Sequence, residues 1–360
     1  MKITKVKSWS ENLTLTRPYT ISYKTIDSVE NVFVYLELEG GVFGLGAGSP
    51  ADFVTGESIS DCTLILEEKL EELLLGQDIR LIKEHCRILE KEMPKTPAAR
   101  AAVDIALHDV LSKYLGIPLV DFLGRIHQSL PTSITIGIKS IAESIIEAKE
   151  YVERKFRILK VKTGKSVEED IERVHKIREI AGPQIGIRVD ANQGYTTKEL
   201  QEFIHKTEML DIEFTEQPLG SDDILEMLEV PENIRKLCAA DESLHNAMDA
   251  LKLAASPQPF GIYNIKLMKC GGIHSAMQIA EIANLAGIDL MWGCMDESII
   301  SISAALHAAF ASPATKYLDL DGSLDLAHDL VEGGFVLKEG YMSLNDKPGL
   351  GYTMDKKIKS

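Results

Sequence analysis

The chain has 360 residues, with 39 Lys and Arg against 55 Asp and Glu, for a net charge of −16. Hydrophobic residues at 45% and charged residues at 26% support a buried globular interior and exclude a disordered chain. So acidic a surface repels nucleic acid and anionic lipid, and neither is expected as a partner.

The length suits a barrel with a smaller companion domain better than one compact core. The stretch from Met1 to Lys7 lacks the apolar run of a signal peptide, and no later run approaches a membrane span. The five cysteines (Cys62, Cys86, Cys238, Cys270, Cys294) form no Cys-x-x-Cys pair, which speaks against zinc ribbons and redox motifs. They read as free thiols of a cytoplasmic protein.

In the first forty-odd residues Val32, Val34, Leu36 and Leu38 alternate onto one face. Gly40-Gly41 then turns tightly into Val42-Phe43, so this stretch reads as an antiparallel meander. The spacing of Gly44, Gly46 and Gly48 fails the dinucleotide-binding fingerprint, and Ser49-Pro50 stands where a helix would have to open. A mobile loop is expected there. Helical periodicity runs from Ser58 to about Leu115; Thr96-Pro97 opens the last helix, Gly116 closes it and Pro118 follows. From Ser133 onward short apolar strands alternate with amphipathic helices: a strand at 134–138, a helix at 141–155, a strand at 158–162, and so on. That alternation means parallel sheet, open or closed. From about Leu330 short β-like pieces return, among them Gly334-Phe335-Val336-Leu337, and this tail is expected to fold back on the N-terminal domain.

Polar residues fall at the C-terminal ends of the predicted strands with a nearly constant period. From Lys162 to Asp190 is 28 residues, then 26 to Glu216, 25 to Asp241, 25 to Lys266, 29 to Met295 and 24 to Asp319. Each step is one strand–helix unit, and in a closed barrel all these ends meet at one mouth. Several come as i, i+2 pairs on one strand face: Lys160 and Lys162, Asp190 and Asn192, Asp319 and Asp321. One such pair is as readily a solvated loop feature; six or seven in phase are not. Asp190, Glu216 and Asp241 suit a hard cation, with no adjacent His or Cys to favour zinc. The alternative, structural ion pairs with nearby lysines, leaves crowded like charges less well explained. Lys162 and Lys266 flank these acidic strands, where a lysine close to a divalent cation serves as a general base. A single strand-end lysine would more simply snorkel to the surface, but two bracketing the acids favour catalysis.

At this point the chain resembles the enolase superfamily in its muconate-lactonizing branch, over essentially its whole length. The resemblance rests on Ala106-Leu107-His108-Asp109, Gly116-Ile117-Pro118-Leu119, Leu123-Gly124, Leu159-Lys160-Val161-Lys162 and Val189-Asp190-Ala191-Asn192-Gln193-Gly194. It continues through Glu216-Gln217-Pro218, Ala240-Asp241-Glu242-Ser243 and Asn264-Ile265-Lys266-Leu267-Met268-Lys269-Cys270-Gly271-Gly272. It implies a modified (β/α)₈ TIM barrel with an N-terminal α+β capping domain. The expected division is 1–125 for the cap, 126–328 for the barrel and 329–360 for a segment returning to the cap. It also implies Mg²⁺ (Mn²⁺ able to substitute) on Asp190, Glu216 and Asp241, with proton abstraction α to a carboxylate and an enediolate stabilised by the metal.

The branch holds cycloisomerases, o-succinylbenzoate synthases, N-acylamino-acid racemases and dipeptide epimerases. Gly293-Cys294-Met295-Asp296-Glu297-Ser298 and Tyr317-Leu318-Asp319-Leu320-Asp321-Gly322 resemble the last group, whose Asp-x-Asp pair receives a substrate ammonium. The expectation is an epimerase of Ala-Xaa dipeptides, Xaa small or hydrophobic, with Lys162 and Lys266 exchanging protons on opposite faces of the second α-carbon. An o-succinylbenzoate synthase, an N-acylamino-acid racemase and a barrel that merely binds a small acidic ligand remain alternatives. Thr135, Lys160, Lys24, Asp296, Ser298, Asp319 and Asp321 are the expected substrate contacts, supported by Asn192 and Glu242. Lys160 would also lower the pKa of its neighbour. Loops at 19–24 and 52–57 are expected to close over the pocket. Lys24 stands near where Ala-Glu enzymes tend to carry an arginine, a better grip on a carboxylate than lysine, and Asp296 would repel an acidic side chain. A homo-oligomer is expected.

Overall fold

The computed structural model describes residues 1–21 and 24–354, and no side chain is described for 18–26. Strand β1 (Ile3–Ile21) pairs antiparallel with β2 (Lys24–Leu38), which pairs on its other edge with β3 (Phe43–Gly48). Helices α1 (Ile59–Leu74), α2 (Ile82–Glu92) and α3 (Pro97–Leu115) cover this meander. Val32, Val34, Leu36 and Leu38 are buried as their alternation requires.

The expected loop over Gly44, Gly46 and Gly48 is instead β3, and the reason is contact distance. A Cβ on Gly46 would lie 1.8 Å from the Ala102 carbonyl oxygen, one on Gly48 2.2 Å from that of Ala98, and one on Gly44 2.7 Å from that of Ala106. At period two the three glycines form one bare face, on which the backbone of α3 rests directly. Helix α3 is buried on almost every side, since the meander lies against one flank and the barrel helices against the other. It opens at Pro97, as its sequence indicates, but Thr96 makes no cap; Glu57 Oε1 accepts the Ala98 N–H instead. Gly116, at φ 72°, closes it in the left-handed region.

After α4 (Leu119–Leu123) and the short β4 (Ser129–Pro131) comes the barrel. Its strands are β5 (Ser133–Ile136), β6 (Ile158–Lys162), β7 (Gly186–Asp190), β8 (Ile212–Glu216), β9 (Cys238–Ala240), β10 (Ile262–Ile265), β11 (Asp289–Gly293) and β12 (Thr315–Asp319). All neighbours pair in parallel and in chain order. A parallel bridge between Thr132 and Leu318 returns β12 to β5, and Ser133 Oγ donates to the Leu318 carbonyl, closing the ring. Between strands run α5 (Ile141–Glu153), α6 (Val167–Ala181), α7 (Thr197–Thr207), α8 (Ile224–Glu229), α9 (Glu232–Arg235), α10 (Ala247–Leu253), α11 (Leu267–Cys270), α12 (Ile273–Ala286) and α13 (Ile299–Ala309). Right-handed strand–helix–strand units of this kind demand a parallel sheet.

The tail forms β13 (Val331–Gly333), β14 (Phe335–Lys338), β15 (Tyr341–Leu344) and β16 (Tyr352–Met354). Asp109 fastens it to the cap: one carboxylate accepts from the Leu45 and Leu350 amides, the Tyr352 hydroxyl and Lys113. Asp104, one turn earlier, accepts from the Ile273 amide at the start of α12, locking cap to barrel. Among the described residues no helix is long and apolar enough to cross a membrane.

Candidate active site

Alternation along each barrel strand decides which side chains face the axis. Deep in the barrel, Phe214, Ala239, Ile262 and Met291 make an apolar cluster of their own, with Tyr317 against it. The Arg188 guanidinium lies 5.5 Å from the Phe214 ring and 5.0 Å from that of Tyr317, completing the floor. Two residues further along the same faces come Asp190, Glu216, Asp241 and Asp319, so the charged layer stands directly on a dry base. Charges there interact more strongly than they would in water.

Lys160 is 3% exposed and lies 2.7 Å from Asp319 Oδ2, 2.8 Å from Glu216 Oε2 and 3.2 Å from Asp190 Oδ2. Burial works against its charge, but the three carboxylates outweigh burial and hold its pKa well above the ordinary lysine value. Lys160, an expected substrate contact, thus stands inside the carboxylate cluster with its ammonium paired to all three acids. Lys162 Nζ lies 2.7 Å from Asp190 Oδ2 and 3.0 Å from Asn192 Oδ1. Across the mouth Lys266 Nζ lies 2.7 Å from Asp241 Oδ2, and Asp241 and Glu216 raise its pKa against the effect of burial. Strands β7, β8 and β9, with their carboxylates, separate the two lysines.

These carboxylates are not all satisfied by lysines. Burial resists ionisation of Asp190, yet Lys162 and Lys160 draw its pKa down to about 2. Lys266 and Lys269 hold Asp241 well below the ordinary carboxylate value, again against burial. Glu216, by contrast, is pushed up to about 8 by burial and by the charge of Asp190. Its Oε2 meets Lys160 as an ion pair, and Glu242 Oε2 is buried without a hydrogen-bond donor. Asn192 Nδ2 reaches Glu242 Oε1 at 3.2 Å, which brings both expected supporting residues to the rim. A carboxylate cluster with an unpartnered Glu242 oxygen at its rim, and a Glu216 whose pKa is raised by burial and its neighbours, fits a hard divalent cation. Among the described residues, Cys86, Asp104 and His108 bring ligand-type atoms within 4.8 Å of one another. That buried trio is structural, because Asp104 already holds the Ile273 amide and His108 Nδ1 bonds the Asp104 carbonyl.

The Asp-x-Asp pair splits in two. Asp319 is buried and accepts from Lys160 and from Ser133 Oγ at 2.5 Å. Asp321 Oδ2 accepts the Thr135 amide at 2.8 Å, and burial and the charge of Asp319 push its pKa up to about 7. Asp319 is thus held by Lys160 and Ser133, and Asp321 by the Thr135 amide. Thr135 enters the site through its backbone amide, on the inward face it shares with Ser133.

Ser298 corrects its expected substrate contact as well. It is buried, caps α13 through the Ile300 amide and donates to Asp329 Oδ1 at 2.9 Å. Asp296 lies half-buried at the rim, where its carbonyl accepts from Ser49 Oγ of the cap at 3.0 Å. The side chain of Lys24 lies outside the described residues, as do parts of the 19–24 segment.

Three functional residues went unassigned in the sequence. Lys269 is 4% exposed and donates to both Asp241 Oδ1 and the Asp241 carbonyl. Asn264 Nδ2 donates to Glu216 Oε1 at 2.7 Å. Gln217, at φ 33°, accepts the Asp241 and Ser243 amides on its Oε1 and so shapes the chain after β9. Asn264 precedes Lys266 by two and shares its face, a signal the alternation contains. The roles of Lys269 and Gln217 depend on loop geometry that has no period.

Residues 3–124 match the mandelate racemase/muconate lactonizing enzyme N-terminal domain, and residues 143–358 match the enolase C-terminal domain-like family. The L-Lys-D/L-Arg epimerase of Desulforapulum autotrophicum is 56% identical over 351 residues, covering 98% of this chain and 99% of that protein. The hydrophobic dipeptide epimerase of Enterococcus faecalis is 36% identical over 353 residues, with 98% and 99% covered. A crystal structure of a dipeptide epimerase from Methylococcus capsulatus, complexed with Mg and the dipeptide L-Arg-D-Lys, superposes with a TM-score of 0.96 at 49% identity, covering 98% of this chain and all of that one.

Proposed function

Because the chain belongs to the mandelate racemase/muconate lactonizing enzyme family of the enolase superfamily, we propose that it is an Mg²⁺-dependent isomerase that epimerises dipeptides carrying basic side chains. The observation that carries the reading is the opposed pair Lys162 and Lys266, each on a carboxylate of the central cluster, with Asp321 open at the far side. Asp190, Glu216 and Asp241 would hold the metal. Once bound, Mg²⁺ supplies positive charge where negative charge builds up on the substrate carboxylate. Asp321 takes the ammonium of the first residue, which sets the second α-carbon between the two lysines. One lysine, neutral, removes the α-hydrogen; the electron pair left on carbon spreads into the adjacent carboxylate, and the other lysine, as an ammonium, returns a proton to the opposite face. Atoms and charge balance, and only the configuration changes. The barrel floor excludes water beneath the reacting carbon.

The basic preference replaces the expected alanine-first, small or hydrophobic choice. It is supported by the relatives named for L-Lys-D/L-Arg and crystallised with L-Arg-D-Lys, and by acid at the rim. Asp296 lies beside Ser49, and exposed Asp52 follows three residues along the same cap segment. The exposed Asp52 carboxylate would attract a lysine or arginine side chain. The test is kcat/KM for L-Lys-L-Arg, L-Ala-L-Ala, L-Ala-L-Glu and N-acetyl-L-lysine. L-Lys-L-Arg is expected to lead. A lead for L-Ala-L-Glu would overturn the basic preference, and one for the acetylated compound, which lacks the ammonium, the dipeptide reading.

A further inference from the structure

In each of the three candidate metal carboxylates, one oxygen is already taken by a fixed protein donor. Asp190 Oδ1 accepts the Asn192 amide at 2.9 Å. Glu216 Oε1 accepts Asn264 Nδ2, from a side chain with no exposure. Asp241 Oδ1 accepts Lys269 Nζ, whose remaining contacts are the Asp241 carbonyl at 2.5 Å and the Asn264 carbonyl at 3.4 Å. The opposite oxygens of Asp190 and Asp241 face Lys162 and Lys266, less deeply buried with side chains 29% and 10% exposed against 2% for Lys269; Lys160, also 3.2 Å from Asp190 Oδ2, keeps Glu216 and Asp319 as partners. A cation entering the cluster can displace these two lysines toward the open mouth. It cannot displace Lys269 without leaving an ammonium buried and unpaired, which is costly.

We infer that Lys269, by holding Asp241 Oδ1, restricts Asp241 to one-oxygen ligation and makes the site select Mg²⁺ over Ca²⁺. The inference rests on the metal reading above. Mg²⁺ prefers a compact octahedron with few protein oxygens, whereas Ca²⁺ gains from six to eight oxygens and from two-oxygen carboxylate ligation. A carboxylate with one oxygen pinned denies Ca²⁺ that gain at little cost to Mg²⁺. Removing the ammonium of Lys269 raises the negative charge seen by both ions alike. The ratio of their dissociation constants therefore reads coordination rather than charge.

The experiment is calorimetric titration of chelator-stripped protein with MgCl₂ and with CaCl₂, for the wild type and Lys269→Met. The Ca²⁺/Mg²⁺ ratio of dissociation constants is expected to fall about tenfold or more in the variant, the scale on which groups behind a ligand tune metal sites. Lys269→Arg, which keeps charge and donors, is expected to retain most of the discrimination. An unchanged ratio in Lys269→Met overturns the inference. Failure of the wild type to bind Mg²⁺ at all overturns the metal reading beneath it. Should Lys269→Met not fold, a crystal structure of the wild-type Mg²⁺ complex decides: Asp241 ligating through one oxygen with Lys269 on the other supports the inference, and two-oxygen ligation overturns it.

Discussion

Asp319 and Asp321 differ by two positions and by the company they keep, and that difference can be measured. Burial and Asp319 push Asp321 up to about 7, with Lys160 and the Thr135 amide opposing them. A carboxyl with a raised pKa is neutral below that value and charged above it, so its attraction for an ammonium is lost as pH falls through about 7. Dipeptide affinity, read by calorimetry with the stripped and Mg²⁺-loaded protein, is expected to weaken as pH falls from 8 to 6, by roughly tenfold per pH unit below the pKa. Asp321→Asn should remove both this dependence and most of the affinity; an unchanged profile in that variant would place the titrating group elsewhere, the half-buried Cys294 being its neighbour. For the lysines, Lys162→Ala and Lys266→Ala are each expected to lower epimerisation about 10³-fold or more, since inversion needs donor and acceptor. Each variant should retain α-hydrogen exchange with heavy water for a single stereoisomer. Near-normal epimerisation by either would require a one-base mechanism.

Two elements carry tests of their own. The glycine face of β3 exists to let α3 approach, so Gly46→Ala puts a methyl group where the Ala102 carbonyl already stands. Denaturant unfolding is expected to show a loss of at least about 1–3 kcal/mol, the usual range for overpacking. A neutral result would mean that β3 and α3 are looser than described. Helix α13 tests Ser298. As a cap, its replacement by Ala should cost about 1 kcal/mol of stability and leave KM close to wild type. A large rise in KM with unchanged stability would restore the substrate contact expected from the motif.

At the scale of the whole molecule, Asp104 ties cap to barrel and Asp109 ties cap to tail, and neither tie includes the carboxylate cluster. Within the cluster, lysines neutralise much of the acid. Exhaustive chelation is therefore expected to abolish epimerisation while leaving the far-UV circular dichroism intact, unlike a domain whose fold depends on its metal. Activity should return with Mg²⁺ or Mn²⁺. Full activity after chelation would remove the metal from the mechanism.

The barrel was legible because each of its parts follows a local rule. Strand ends recur once per strand–helix unit, and alternation within a strand assigns a face, so Lys162, Asp190, Glu216, Asp241, Lys266 and Asp319 could be placed at one mouth without coordinates. The same rule reaches Asn264, two residues before Lys266. What these residues do to one another has no such rule. That Lys160 sits among three carboxylates, that Lys269 pins Asp241 and that Asp319 is taken by Ser133 and Lys160 while Asp321 meets Thr135 depend on contacts between residues from 28 to 186 positions apart. The bare face of β3 looked like a loop because glycine marks both a free backbone and a backbone pressed against another. Ser298 looked like a contact because cap and pocket draw on the same hydroxyl. Periodicity is a property of the chain and survives in one dimension, so the fold and the convergence of the strand-end residues on one mouth were determined by the sequence itself. Charge pairing, burial and close approach arise only when distant segments meet, and these the tertiary structure decided.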